Sequence, residues 1–161
     1  MTGTYKGLPV TGPTASGEGR RVAIIASGFN PEIGERLIEG AVSCLRDNLV
    51  KDDDISIVWV PGAFELPLVA KTIAESGRVD AVVCLGAVIR GGTPHFEYVA
   101  GQAAHGIAQA SMQTGIPITF GVLTTDDLEQ ATARAGGEEG NKGYEAALAA
   151  LEMANLLEEL K

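Results

Sequence analysis

The sequence predicts an α/β domain of three layers, with a central four-stranded parallel sheet covered by helices on both faces. Two observations carry this. Short β-branched runs alternate with helix-period segments along the chain, the order that gives a parallel sheet with crossover helices. The third of those runs, AVVCLGAVI at 81–89, is apolar without alternation, as a strand covered on both faces must be. At 161 residues the chain is one domain by length, and a chain of that size buries roughly 70% of its unfolded surface.

Taken in order, residues 1–19 are rich in Gly, Pro and Thr and show no periodicity. They are expected to form a flexible arm, or one ordered only against a neighbour, leaving a single domain at 20–161. RRVAIIAS at 20–27 reads as the first central strand. NPEIGERLIEGAVSCLRDNL follows as a helix, with Asn30 at the N-cap and Pro31 at the first helical position. Ile33, Leu37, Ala41, Leu45 and Leu49 recur every four residues and mark the stripe expected to be buried. DISIVWV is the second strand, and AFELPLVAKTIAES the second helix, stopped by Gly77. After the third strand, a helix is predicted from about His95 to Thr114, ended by Gly115. IPITFGVL is the fourth strand, with Pro117 tolerable near its start. TDDLEQATARA forms a short helix closed by Gly136 and Gly137, and the last helix runs from about Lys142 to Leu160.

Composition removes several functions. A net charge of -9 opposes non-specific nucleic-acid binding, which needs a basic footprint, and opposes docking on anionic membranes. No apolar run approaches the ~20 residues of a membrane span, and the first 19 residues carry no secretory signal. Cys44 and Cys84 stand alone in apolar segments, as reduced buried thiols do. A cytoplasmic protein is expected. There is no G-x-G-x-x-G after the first strand, no Walker spacing around GNKG, and no H-E-x-x-H, C-x-x-C or G-x-S-x-G.

In a parallel sheet, sites form beyond the carboxyl ends of the strands. That directs attention to four turns: SGFN, PGAFE, RGGTPH and LTTDD. In RGGTPH, Gly91 and Gly92 let the backbone turn tightly before a helix N-terminus, whose N–H groups and dipole suit a phosphate; the same residues also make an ordinary strand-to-helix turn. His95 stands at that helix mouth, where the dipole favours the neutral ring and proton exchange, although local capping explains it equally well. His105, ten residues on among small residues, reads as structural. Phe64 and Glu65, and Phe29 in SGFN, offer ring stacking and an edge acceptor for a planar heterocycle; core packing is the alternative for either Phe. Arg134 ends the short helix and either answers its dipole or meets an anion.

Taken together, SGFN, PGAFELP, AVIRGGTPHFEYV, FGVLTTDDLEQATARAGG and GNKG closely resemble the lumazine synthase family, in register from about Arg20 to Lys161. The resemblance implies a flavodoxin-like fold and a transferase of riboflavin biosynthesis that joins 5-amino-6-(D-ribitylamino)uracil to L-3,4-dihydroxy-2-butanone 4-phosphate. Carried over, Phe29 stacks on the pyrimidine, and Ala63, Phe64 and Glu65 hold it with its ribityl chain. Ala87, Val88 and Ile89 add backbone contacts. Gly92 and Thr93 fall at the phosphate of the butanone, and His95 at the proton-transfer histidine. Phe120 and Arg134 match residues supplied by the adjacent subunit to the pyrimidine and phosphate pockets, with Lys142 near the same anion.

The resemblance also implies that no metal or redox cofactor is required, since every step is a proton transfer or carbonyl addition. It implies a homo-oligomer built from rings of five, twelve of which close into an icosahedral shell in many members, and a functional association with riboflavin synthase. The compact AGGEEGNKG segment favours closure of the shell. Glu138, Glu139 and the prolines of the arm, Pro9 and Pro13, stand against it. The alternative is a relative that binds a flavin or lumazine, or forms a shell, without catalysis.

Overall fold

The structure is a computed structural model that describes residues 3–161; Met1 and Thr2 of the expected arm lie outside the described residues. The chain opens with a hairpin of β1 (Gly3–Tyr5) and β2 (Leu8–Val10), which the composition of the arm did not predict. Lys6 and Gly7 form its two-residue loop with φ of 50° and 84°, the positive values a tight hairpin turn requires. Beyond it the arm is tied to the domain. The Gly17 N–H donates to the Asn48 carbonyl at 2.7 Å, and Asn155 Nδ2 donates to the carbonyls of Thr14 and Ser16 at 2.7 and 2.8 Å.

The domain then alternates as predicted. In chain order it contains β3 (Val22–Ser27), α1 (Pro31–Asp47), β4 (Ile55–Val60), α2 (Leu66–Glu75), β5 (Ala81–Ile89), α3 (His95–Thr114), β6 (Ile118–Thr125), α4 (Leu128–Arg134), β7 (Ala135–Gly137), β8 (Gly140–Asn141) and α5 (Lys142–Glu159). Four strands form one parallel sheet in the order β4-β3-β5-β6. Residues of β3 and β5 point alternately to two cores. Val22, Ile24, Ala26, Val83 and Leu85 meet α1, α4 and α5 through Leu37, Leu45, Ala131, Ala147 and Leu151. Ala23, Ile25, Val82 and Cys84 meet α2 and α3 through Leu66, Ala70, Ala103 and Ile107. The three layers follow from that alternation. Burial pushes the thiols of Cys44 and Cys84 up to about 11 and about 12, so both are protonated near neutral pH.

One local expectation holds in altered form, and two need correction. Asn30 holds the N-cap position of α1, but in a left-handed conformation (φ 55°) without a side-chain cap; its carbonyl accepts from the N–H groups of Ile33 and Gly34, while its side chain turns to the Ala87 carbonyl. Leu49 is not part of the buried stripe. The helix ends at Asp47, Leu49 follows with φ 72°, and its side chain is exposed. Finally α4 stops at Arg134, before the glycines expected to close it. Gly136 and Gly140, with φ of 91° and 77°, instead shape the antiparallel pair β7–β8 around Glu138 and Glu139.

Candidate functional site

Beyond the carboxyl end of β3, the left-handed Asn30 turns the chain into α1 and leaves Phe29 outside both cores, 68% exposed. Opposite, the segment after β4 begins with Gly62. A Cβ there would lie 2.9 Å from Phe29 Cε2 and 3.2 Å from Glu65 Oε2, so this glycine is what lets the ring and the carboxylate lie close to the backbone. Phe64, on the next 3₁₀ turn (Ala63–Glu65), is 58% exposed. Core packing is therefore not the role of Phe29 or of Phe64.

These residues wall a cavity of about 610 Å³, together with Ala63, Ala87, Val88 and Ile89 from the end of β5 and Gly91, Thr93, His95 and Phe96 at the start of α3. All seven residues expected at the pyrimidine that precede β6 thus face one space, and Thr93 and His95 face the same space. Gly92 lies in the same exposed turn without lining the cavity. The wall is mostly apolar, with four aromatic residues (Phe29, Phe64, Phe96 and Tyr98) and few polar groups, which suits a planar heterocycle. The Thr93 hydroxyl accepts from the His95 N–H at 3.5 Å.

Phe120, Arg134 and Lys142 are elsewhere. They line a second cavity of about 460 Å³ along the outer strand β6, with Thr119, Thr124 and Glu145. The two cavities share no lining residue. Arg134 donates from Nη1 to the Gln130 carbonyl at 3.1 Å, so one of its donors answers the end of α4. Among the described residues it makes no ion pair. Lys142 is paired to Glu145 at 2.8 Å. Asn141 fixes this corner. Its Oδ1 caps α5 by accepting from the N–H groups of Gly143 and Tyr144 at 2.8 and 3.1 Å, while Nδ2 donates to the Arg36 carbonyl at 2.9 Å.

Sequence reasoning missed Gly62, Phe96 and Tyr98 in the first cavity and Glu145 in the second. For Glu145 a signal existed, the i,i+3 spacing from Lys142. His105 is exposed on α3. No group of three or more His, Cys, Asp or Glu side chains among the described residues is arranged to hold a metal ion. No described helix is long and apolar enough to cross a membrane.

Comparison with known proteins points one way. The family described as 6,7-dimethyl-8-ribityllumazine synthase matches residues 19–158. A protein of that name from Chlorobium phaeovibrioides (strain DSM 265 / 1930) is 57% identical over 136 residues, which span 84% of this chain and 88% of that one.

Proposed function

The chain belongs to the 6,7-dimethyl-8-ribityllumazine synthase family, and from that premise we propose that its active site is completed by a second copy of the chain. The enzyme acts in riboflavin biosynthesis, condensing 5-amino-6-(D-ribitylamino)uracil with L-3,4-dihydroxy-2-butanone 4-phosphate to give 6,7-dimethyl-8-ribityllumazine, phosphate and water. In the proposed site the pyrimidine enters the first cavity, stacked on Phe29 and held by Ala63, Phe64, Glu65 and the backbone of Ala87–Ile89. The butanone phosphate meets Gly92, Thr93 and His95 of the same chain. Phe120, Arg134 and Lys142 come from the neighbour. The observation that carries this reading is the division of the site residues between two cavities with no lining residue in common.

The chemistry asks little beyond placement. The 5-amino group adds to the ketone and expels water to give an imine. A carbon-bound proton is then removed, and the C–O bond to phosphate breaks with its electron pair leaving on phosphate. After tautomerisation, the ribityl-bearing amine attacks the new carbonyl and a second water leaves as the ring closes. His95 is the group placed to move protons at the phosphate-bearing end, and Arg134 neutralises the departing dianion. Both partners are reactive already, so holding them together supplies most of the acceleration.

The rest of the reading follows the family. The working unit is a ring of five, and the compact hairpin at 135–141 leaves room for twelve rings to close into a shell, in the cytoplasm and in functional association with riboflavin synthase. Sedimentation separates shell from pentamer by size. For the function itself, purified protein mixed with both substrates should generate the fluorescent lumazine, and omission of either should abolish the signal. A protein that binds lumazine but yields none from the two substrates is a carrier, and that result contradicts the proposal.

A further inference from the structure

We propose that Arg90 is a positioning residue for the phosphate half of the reaction, a brace that holds the Gly91–Pro94 turn and the start of α3 in register for the anion. The inference rests on the reading of Gly92, Thr93 and His95 given above. That turn has little of its own to hold it. Its residues are exposed, and no atom lies within 4 Å of where a Cβ on Gly91 or Gly92 would stand. The bond between the His95 N–H and Thr93 Oγ1 is long, at 3.5 Å. An open turn in this position needs anchors at its ends.

Arg90 supplies them. Its backbone N–H donates to the Thr125 carbonyl at 2.8 Å, extending the pairing of β5 with β6 by one residue. Its guanidinium donates from Nη1 to Glu97 Oε1, in the first turn of α3, and from Nε to Asp126 Oδ1 at 2.9 Å, in the turn after β6. The guanidinium carbon lies 4.3 Å from the centroid of Phe96, whose ring lines the first cavity beside His95. One side chain therefore bridges across the anion turn, seats the residue next to His95, and ties both to the segment that continues into α4 and Arg134.

Charge adds a second reason. Without Arg90, Glu97 and Asp126 would place two uncompensated carboxylates beside the landing place of a phosphate. Contact with Glu97 first, then Asp126, raises the Arg90 pKa, and hydrogen bonding to Arg90 lowers that of Glu97, so the pair stays ionised through the neutral range. A planar fork that bonds along two edges and stacks on its face serves this place, and an ammonium cannot make all three contacts. With Nε and Nη1 committed to carboxylates, Arg90 acts on the substrate through the turn.

The test compares Arg90→Gln, Arg90→Lys and Glu97→Gln with Arg134→Ala in steady-state assays, with inorganic phosphate as a competing inhibitor. Each variant is first shown by sedimentation and thermal melting to be assembled and folded. Arg90→Gln should raise the KM for the butanone phosphate and the phosphate inhibition constant about tenfold, since a displacement of the order of 1 Å is enough for such losses. The KM for the pyrimidine should move less than twofold. Arg90→Lys should recover less than half of the loss. Glu97→Gln, which loosens the brace while freeing a donor of Arg90, should weaken phosphate in the same direction; tighter phosphate in that variant would make Arg90 a direct anion ligand and overturn the proposal. So would an Arg90→Gln enzyme whose two KM values are unchanged or rise together. If Arg134→Ala also leaves phosphate binding intact, the site reading itself is what fails.

Discussion

Phe29 and Phe64 are two of only four phenylalanines in the chain, and both stand largely outside the cores. Single positions decide how that exposure is used. Gly62→Ala would set a methyl group 2.9 Å from the Phe29 ring, closer than packed carbons approach, so the ring must leave its place. The KM for the pyrimidine should rise severalfold in this variant while the KM for the phosphate substrate stays within twofold, which steady-state kinetics with each substrate varied in turn would show. His95 calls for a different expectation. In the proposed site it moves protons in chemistry that is already feasible, so His95→Ala should slow turnover by about 10²-fold at most without abolishing it, and substrate affinity should hardly change. An unchanged rate would remove His95 from the mechanism. Position in the site was legible where a side chain type is unusual in its setting, as with the histidine at a helix mouth that lines the first cavity. It was not legible where backbone conformation decides. Leu49 satisfied the four-residue period but lies past the end of α1 with a left-handed backbone, and no hydrophobic pattern carries that information.

Among the elements, the central strands were the clearest in the sequence because both faces of the sheet are covered, so their apolar runs have no alternation to misread. The small hairpins were invisible for the converse reason. In β1–β2 and β7–β8 turn geometry sets the pairing, and Gly, Pro and Glu give no strand period. Between β3 and β5 one exposed contact has a pH consequence. Asp80 precedes β5 and binds Arg21 at the start of β3, with Oδ2 accepting from the Arg21 N–H at 2.8 Å and Oδ1 lying 3.1 Å from Nη2. Burial pushes the Asp80 carboxyl up, but the side-chain bonds, backbone bond and charge of Arg21 together outweigh it and leave the pKa below the ordinary value. A depressed folded-state pKa contributes stability that is fully present above the unfolded value and is lost as pH falls through the folded one. Asp80→Asn should therefore lower the melting temperature by a few degrees at pH 7, with the gap to the parent narrowing as the pH falls below 4. A gap that stays constant with pH would assign the effect to packing instead of charge.

At the scale of the whole molecule, the two cavities divide the expected site residues: one holds Phe29, Phe64 and His95, the other Phe120, Arg134 and Lys142. The division of these residues between two subunits was an expectation of the family resemblance and not of the motifs' spacing, since a linear pattern does not say which of its members can meet within one chain. The complementary halves are the central claim, and co-assembly of two disabled variants tests it most directly. One variant carries Phe29→Ala with His95→Ala and keeps its second cavity; the other carries Arg134→Ala and keeps its first. Each is assayed alone at substrate concentrations where it is nearly inactive, and the two are then dissociated, mixed in equal amounts and reassembled. If neighbours complete each other's sites, random mixing joins an intact first half to an intact second half in about one site in four, so activity should return to about a quarter of the parent level. If all of these residues serve a site within one chain, no mixed assembly contains an intact site, and activity that stays at the level of the separate variants would contradict the account.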